Sequence, residues 1–225
     1  KPVVDRMLDA LPGTVMLAGT ALVFTLLYAL PAGIISALNR NKWIDYLLRT
    51  ASFVGVSMPT FWLGLVLIYI FGLKLGLVPI ASSRVTATGV ILPAITLAVV
   101  VGSKYMRQVR LVILEEMQKD YVIGARARGV SEVKILFGHI LPNAVLPLIT
   151  ILGVLIGWLL GGVAVVEMVF AWPGLGNMAV YAITMRDYPL IEGFVLWVAL
   201  AYMCINALVD ASYILLDPRL KRERA

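Results

Sequence analysis

The sequence predicts an all-α fold, a polytopic transmembrane helical bundle. Three observations predict it. Of the 225 residues, 61% are apolar and 14% charged, against about 45–50% and about 25% in an ordinary soluble domain. The apolar residues gather into runs long enough for a bilayer, which needs about 20 residues per helix. The short alternating segments of a transmembrane barrel are absent. Lipid offers backbone polar groups no partner, so each run has to bond internally as helix.

Five runs meet this description. Residues 14–38, 50–73, 85–103 and 140–166 carry no charge, and a shorter run at 193–209 continues past Asp210. Short-loop Lys and Arg set membrane orientation. Fourteen of the 19 basic residues fall on one side: Arg40, Lys42 and Arg49, seven between Lys104 and Lys134, and four from Arg219 onward. The loop after the third run and the C-terminus are therefore expected in the cytoplasm, in a multi-pass protein of the cytoplasmic (inner) membrane. The net charge of +6 belongs to this asymmetry, and nucleic acid is not an expected partner. Five spans with a cytoplasmic C-terminus put Lys1 outside. Either the start of the chain is processed, or an upstream spanning helix precedes this sequence; the second reading is favoured.

In chain order, residues 1–12 read as an amphipathic outer stretch, with Pro12 and Gly13 at the entry to span one. Pro31 predicts a kink near its cytoplasmic end. Ser57-Met-Pro-Thr60 predicts a second kink inside span two. Gly76, Pro79 and Gly89 mark an outer loop. Span three is expected to run on into the cytoplasm past Lys104, Arg107 and Arg110. Span four carries Gly153, Gly157 and Gly161 on one face, allowing a close backbone approach by a helix of this chain or of a second subunit. Residues 167–189 form an extracytoplasmic segment too apolar for a plain loop, so a short helix against the outer mouth is expected. Span five holds the sole cysteine, Cys204, read as a small packed residue, and Asp210, expensive at depth unless paired or wet. No domain boundary is visible, so residues 1–225 read as one helical bundle.

The polar passage at 115–139 is the most informative stretch. Residues 120–128 suit about two helical turns. Gly129 suits a turn, and Ser131 with Glu132 suits a helix start. Val133, Leu136, Phe137 and Ile140 then recur at helical spacing. A short rigid helix flanked by basic residues fits a docking knob for another protein; it equally fits an interfacial helix held to anionic lipid.

The passage resembles the coupling loop of binding-protein-dependent ABC importer permeases. Ile123-Gly124-Ala125, then Gly129, then His139-Ile-Leu141-Pro142 follow that loop's frame, with Ile123, Gly124 and His139 departing from its usual residues. The peptide and nickel importer branch is closer: Gly124-Ala-Arg-Ala-Arg128-Gly129-Val130, then His139-Ile-Leu-Pro-Asn143-Ala144. Gly55-Val-Ser-Met-Pro-Thr-Phe-Trp62, Phe170-Ala-Trp-Pro-Gly-Leu-Gly176, Arg186-Asp-Tyr-Pro189 and Leu216-Asp-Pro-Arg219 resemble other parts of that branch. The resemblance covers essentially the whole chain, and members usually have six spans.

It implies a type I importer-like permease forming half of a translocation pathway. The implied partners are a homologous second permease, two cytoplasmic ATPase subunits, an extracytoplasmic substrate-binding protein and the lipid bilayer. It implies that Gly124, Ala125, Arg126, Ala127, Arg128 and Gly129 meet the ATPases, with His139, Leu141, Pro142 and Asn143 at the loop-to-helix junction. ATP and Mg2+ belong to the partners; this chain has no Gly-rich phosphate loop with Lys and Ser/Thr, and no cofactor, metal or catalytic residue is expected in it. Glu167, Trp172, Asp187 and Glu192 are candidate outer-mouth contacts for cargo or binding protein. Peptide is the favoured cargo, with nickel chelates or another small solute as alternatives. An ion-coupled transporter would want buried acids at mid-span, and an intramembrane enzyme would want more than the single His139.

Overall fold

The computed structural model describes residues 2–79 and 84–216. All regular structure among them is helical. The elements are α1 (Val3–Leu38), α2 (Trp43–Ser57), α3 (Thr60–Leu67), α4 (Ile91–Glu116), α5 (Asp120–Ala127), α6 (Glu132–Ile135), α7 (Leu141–Val169), α8 (Leu175–Met185) and α9 (Tyr188–Leu216). Wider π-helical turns extend α3 through Ile68–Lys74 and lead into α7 through Leu136–Ile140.

α4 is the hub. Leu97, Val101, Val109 and Ile113 are fully buried along it, and α1, α2, α3 and α7 pack around it. Small residues set the approach distances. Gly33 of α1 lies against Val109, and a Cβ there would come 2.7 Å from the valine side chain. Gly102 of α4 lies under the Tyr28 ring of α1, and Gly55 of α2 lies against Ser103. The Gly153 and Gly157 stripe of α7 receives Val209 and Tyr202 of α9, so its partner is a helix of this chain.

Two apolar clusters result. One joins Leu17 and Ala21 of α1, Leu97 of α4, Val163 and Val166 of α7, and Trp172. The other joins Ala37, Val109 and Ile113 to Val122 and Ala125 of α5 and to Ile135 and Ile140. The polar loop is thereby fastened to the same core as the long helices.

Several expectations change. By length and composition, three helices are fit to cross a bilayer, Val3–Leu38, Glu132–Gly157 and Tyr188–Ser212; the pair Trp43–Ser57 and Thr60–Lys74 makes a fourth if counted as one span. The expected five are not all met. The run at 85–103 falls short because its helix begins only at Ile91 and reaches Lys104 before covering the ~20 residues a bilayer needs; much of its apolar surface packs on protein. The kink at Pro59 is a corner, with the two helices bent by 102°. α1 runs unbroken through both Pro12 and Pro31, so its 36 residues extend about 54 Å. The outer amphipathic stretch is simply its first turns. Cys204 is exposed on α9 rather than packed. Asp210 is exposed too; the basic residues expected near it, from Arg219 on, lie outside the described residues.

Candidate functional site: the α5–α6 knob and the outer anchor

α4 turns into α5 around Glu116. Its carboxylate accepts from Lys119 Nζ at 2.5 Å and from the Tyr121 hydroxyl at 2.6 Å. Partial burial, then the carboxylate beside it, push the Tyr121 phenol up to about 12. The phenol therefore remains a donor over the whole neutral range.

α5 is two-sided. Val122 and Ala125 are buried in the core, while Ile123, Arg126, Ala127 and Arg128 are exposed; Gly124 lies half-buried between them. Gly129 closes the helix at φ +77°, a conformation that a Cβ makes costly. Its N–H donates to the Arg126 carbonyl at 2.9 Å, and the Val130 N–H donates to the Ala125 carbonyl at 3.2 Å. This is the paired closure of a Schellman end. The Arg126 guanidinium forks onto Glu132, with Nε and Nη2 at 2.7 and 3.0 Å from its two oxygens. The two short helices are thus clasped across the glycine turn, and the Glu132 carboxylate pushes the Arg126 guanidinium further up.

The junction follows. α6 passes into the π-helical turn that contains His139, whose carbonyl accepts from Asn143 Nδ2 at 2.6 Å. Pro142 sits in the first turn of α7, where its missing N–H costs least. The widened turn before it makes room for the ring. Leu141 and His139 are half-buried, and Pro142 and Asn143 are exposed. Leu136 and Ile140 face the core, but Val133 and Phe137 are 69% and 66% exposed. The four residues expected on one face therefore divide between two.

Near the end of α7, Glu167 is fully buried. Its carboxylate accepts from the Thr14 hydroxyl of α1 at 2.7 Å and from the Asn177 N–H at 2.9 Å. Thr14 Oγ1 in turn accepts from the Leu175 N–H at 2.8 Å. Trp172 is also fully buried, and its indole N–H donates to the Gly13 carbonyl at 2.9 Å. A Cβ at Gly13 would strike the Pro173 carbonyl, and one at Gly174 the Glu167 carboxylate. Glu167 and Trp172 hence anchor the start of α8 to α1, facing the interior instead of the outer mouth. Asp187 is elsewhere, paired with Arg6 at 3.2 Å, and Glu192 is exposed on α9. Of the four outer candidates, the fold brings together only the two buried ones. Beside them an open cavity of about 560 Å³ is lined by Arg6, Asp9, Gly174, Asn177 and Tyr181.

Residues 29–222 match the model of the family described as "Binding-protein-dependent transport system inner membrane component". The chain belongs to that family.

This permease is 38% identical over 221 residues to the glutathione transport system permease protein GsiC of Escherichia coli K12, covering 98% of this chain and 72% of the relative. It is 37% identical to the "Probable D,D-dipeptide transport system permease protein DdpB" of the same organism, covering 99% and 74%. Among solved structures, an inward-facing MetNI methionine ABC transporter chain superposes with TM-score 0.81 at 17% identity, covering 96% of this chain and 99% of that one. An amino acid ABC transporter with histidines gives TM-score 0.68 at 17% identity. At such identity the likeness shows the fold alone. Family membership makes the permease a membrane transport subunit rather than an enzyme. Among the described residues there is no group of three or more His, Cys, Asp or Glu arranged to hold a metal ion.

One part of the permease escapes a sequence reading. Asp45, in the first turn of α2, is fully buried. It accepts from Arg110 of α4, from the Ser36 hydroxyl of α1 at 2.6 Å and from the Asn41 N–H at 3.0 Å. The signal available is an acid two residues after Trp43, in the first turn of an apolar helix, and it names no partner.

Proposed function

We propose that the permease forms half of the translocation pathway of an ATP-driven importer of peptides in the cytoplasmic membrane. A homologous permease supplies the other half, two cytoplasmic ATPases supply the energy, and an extracytoplasmic binding protein delivers the cargo. The observation that carries this reading is the two-sided knob at residues 115–139. Its inner face is continuous with the core of α1, α4 and α7, while Ile123, Arg126, Ala127 and Arg128 are presented outward. An ATPase seated on that outer face would move the long helices with it.

The excess of basic residues on one side supports a cytoplasmic knob and C-terminus. α4 and the bent α2–α3 pair complete five passages of the membrane in this reading, although α4 crosses surrounded by protein. Asp187 and Glu192 are the outer contacts for binding protein or cargo, while Glu167 and Trp172 fix the shape of the outer segment at 167–189. Relatives named for glutathione and for D,D-dipeptides support peptide as the cargo class.

The test is gentle extraction of the native complex, identification of its subunits by mass, and reconstitution with the binding protein identified alongside it. Two ATPase subunits, a second permease and ATP-dependent dipeptide uptake are expected. A chain that emerges alone and moves solute without ATP would overturn the reading.

A further inference from the structure

A second cavity, of about 500 Å³, opens between α2, α4 and α7. Its size lies within the ~300–1,000 Å³ of small-molecule sites. α4 contributes Lys104, Arg107 and Gln108, one turn apart on one face; Val56, Thr150 and Val154 stand among the facing wall. One side is thus cationic and amide-bearing, and the other is mainly apolar.

The two neighbouring arginines of α4 differ sharply. Arg110 is neutralised by buried Asp45 through two bonds of 2.8 Å. Arg107 has no carboxylate among the described residues and lies over the Phe53 ring at 4.9 Å from its centroid. Stacking holds a guanidinium in place by its face and leaves its edge donors available. A fixed fork of this kind matches a carboxylate. Val56, on the rim, is one residue from the end of α2 and the 102° corner into α3. The cavity therefore sits beside this corner, where a change in the bend would alter access.

We propose that this cavity receives the terminal carboxylate of the transported peptide on Arg107, with Lys104 and Gln108 beside it, and the terminal side chain against Val56 and Val154. The proposal rests on the peptide-importer reading above. It makes the permease itself, and not only the binding protein, a reader of the free carboxyl end.

The test uses the complete complex in proteoliposomes with one binding protein throughout. Uptake of a dipeptide is compared with uptake of its C-terminal amide for wild type, Arg107→Gln and Gln108→Glu. The first substitution removes the fork; the second, at an exposed position, sets a carboxylate against the cargo's own. Loss of a charge-assisted hydrogen bond corresponds to about a tenfold effect, so the acid-to-amide ratio is expected to fall about tenfold in both variants. A ratio unchanged in both would overturn the proposal. Equal losses for acid and amide that track the phosphatidylglycerol content of the liposomes would also overturn it, assigning the cavity to a lipid phosphate. If wild type moves neither compound, the peptide reading itself fails, and this proposal with it.

Discussion

Arg110 and Asp45 meet side-on, Nε to Oδ1 and Nη2 to Oδ2, each at 2.8 Å, across 65 positions of sequence. The pair ties the middle helix to the α1–α2 link, and Ser36 and the Asn41 N–H fill the remaining acceptor sites. Removing one partner of a buried pair leaves the other uncompensated, at a cost of about 3–5 kcal/mol. Asp45→Asn and Arg110→Gln are each expected to lower the thermal midpoint of the detergent-solubilised permease markedly. The double variant should be less destabilised than the sum of the two, and strict additivity would argue against the pair.

At the outer end, Thr14 bridges Glu167 and the Leu175 N–H. Thr14→Val removes both bonds and is expected to cost about 1–3 kcal/mol. Glu167→Ala should cost at least as much. Because the two residues share a bond, their effects should be non-additive. Thermal unfolding of the two single variants and the double variant measures this coupling, and independent effects would contradict the geometry.

Ala125 and Ala127 separate folding from docking. Ala125 is buried against the core and Ala127 is exposed. Ala125→Trp is expected to overpack the core and reduce the yield of folded permease. Ala127→Trp should fold normally but lose ATPase subunits on co-purification. If Ala127→Trp retains them and transports normally, the docking face lies elsewhere.

Tyr121 gives a pH dependence. The native phenol titrates at about 12, above its ordinary value of 10.0. The native state thus holds a proton that the unfolded state releases first. This contribution is fully present below pH 10 and is lost as pH rises toward 12. Tyr121→Phe should flatten the fall in stability across that window, measured by thermal unfolding in a pH series.

What the sequence discloses and what it hides divide by distance along the chain. The helix, glycine turn and helix around Gly129 are local, set by spacing, by a cap position and by one residue able to take positive φ, and they were legible. The side each residue faces was less so. Ala125 looked like an external contact because a small residue serves an external or an internal approach equally well. Glu167 beside Trp172 looked like a wet outer edge; only the arrival of Gly13 and Thr14, some 150 positions away, turns that acid inward. Asp45 is hidden for the same reason, its partner Arg110 lying 65 positions away. The place of α4 is the least legible, because its apolar run packs against neighbouring helices and hydropathy cannot tell protein from lipid.

Val122 and Ala125 sit in one close-packed body with one end each of α1, α4 and α7. Protein interiors of this kind yield little under load. A displacement delivered to α5 therefore has almost no slack to take up before the long helices feel it. The turns at its two ends are themselves tied, the first by Lys119 on Glu116 and the second by Arg126 on Glu132 across Gly129. If the proposed ATPases seat on α5, a stroke from nucleotide binding would reach the long helices nearly at full amplitude, and loosening the seat of α5 would waste fuel before it weakened any grip on cargo.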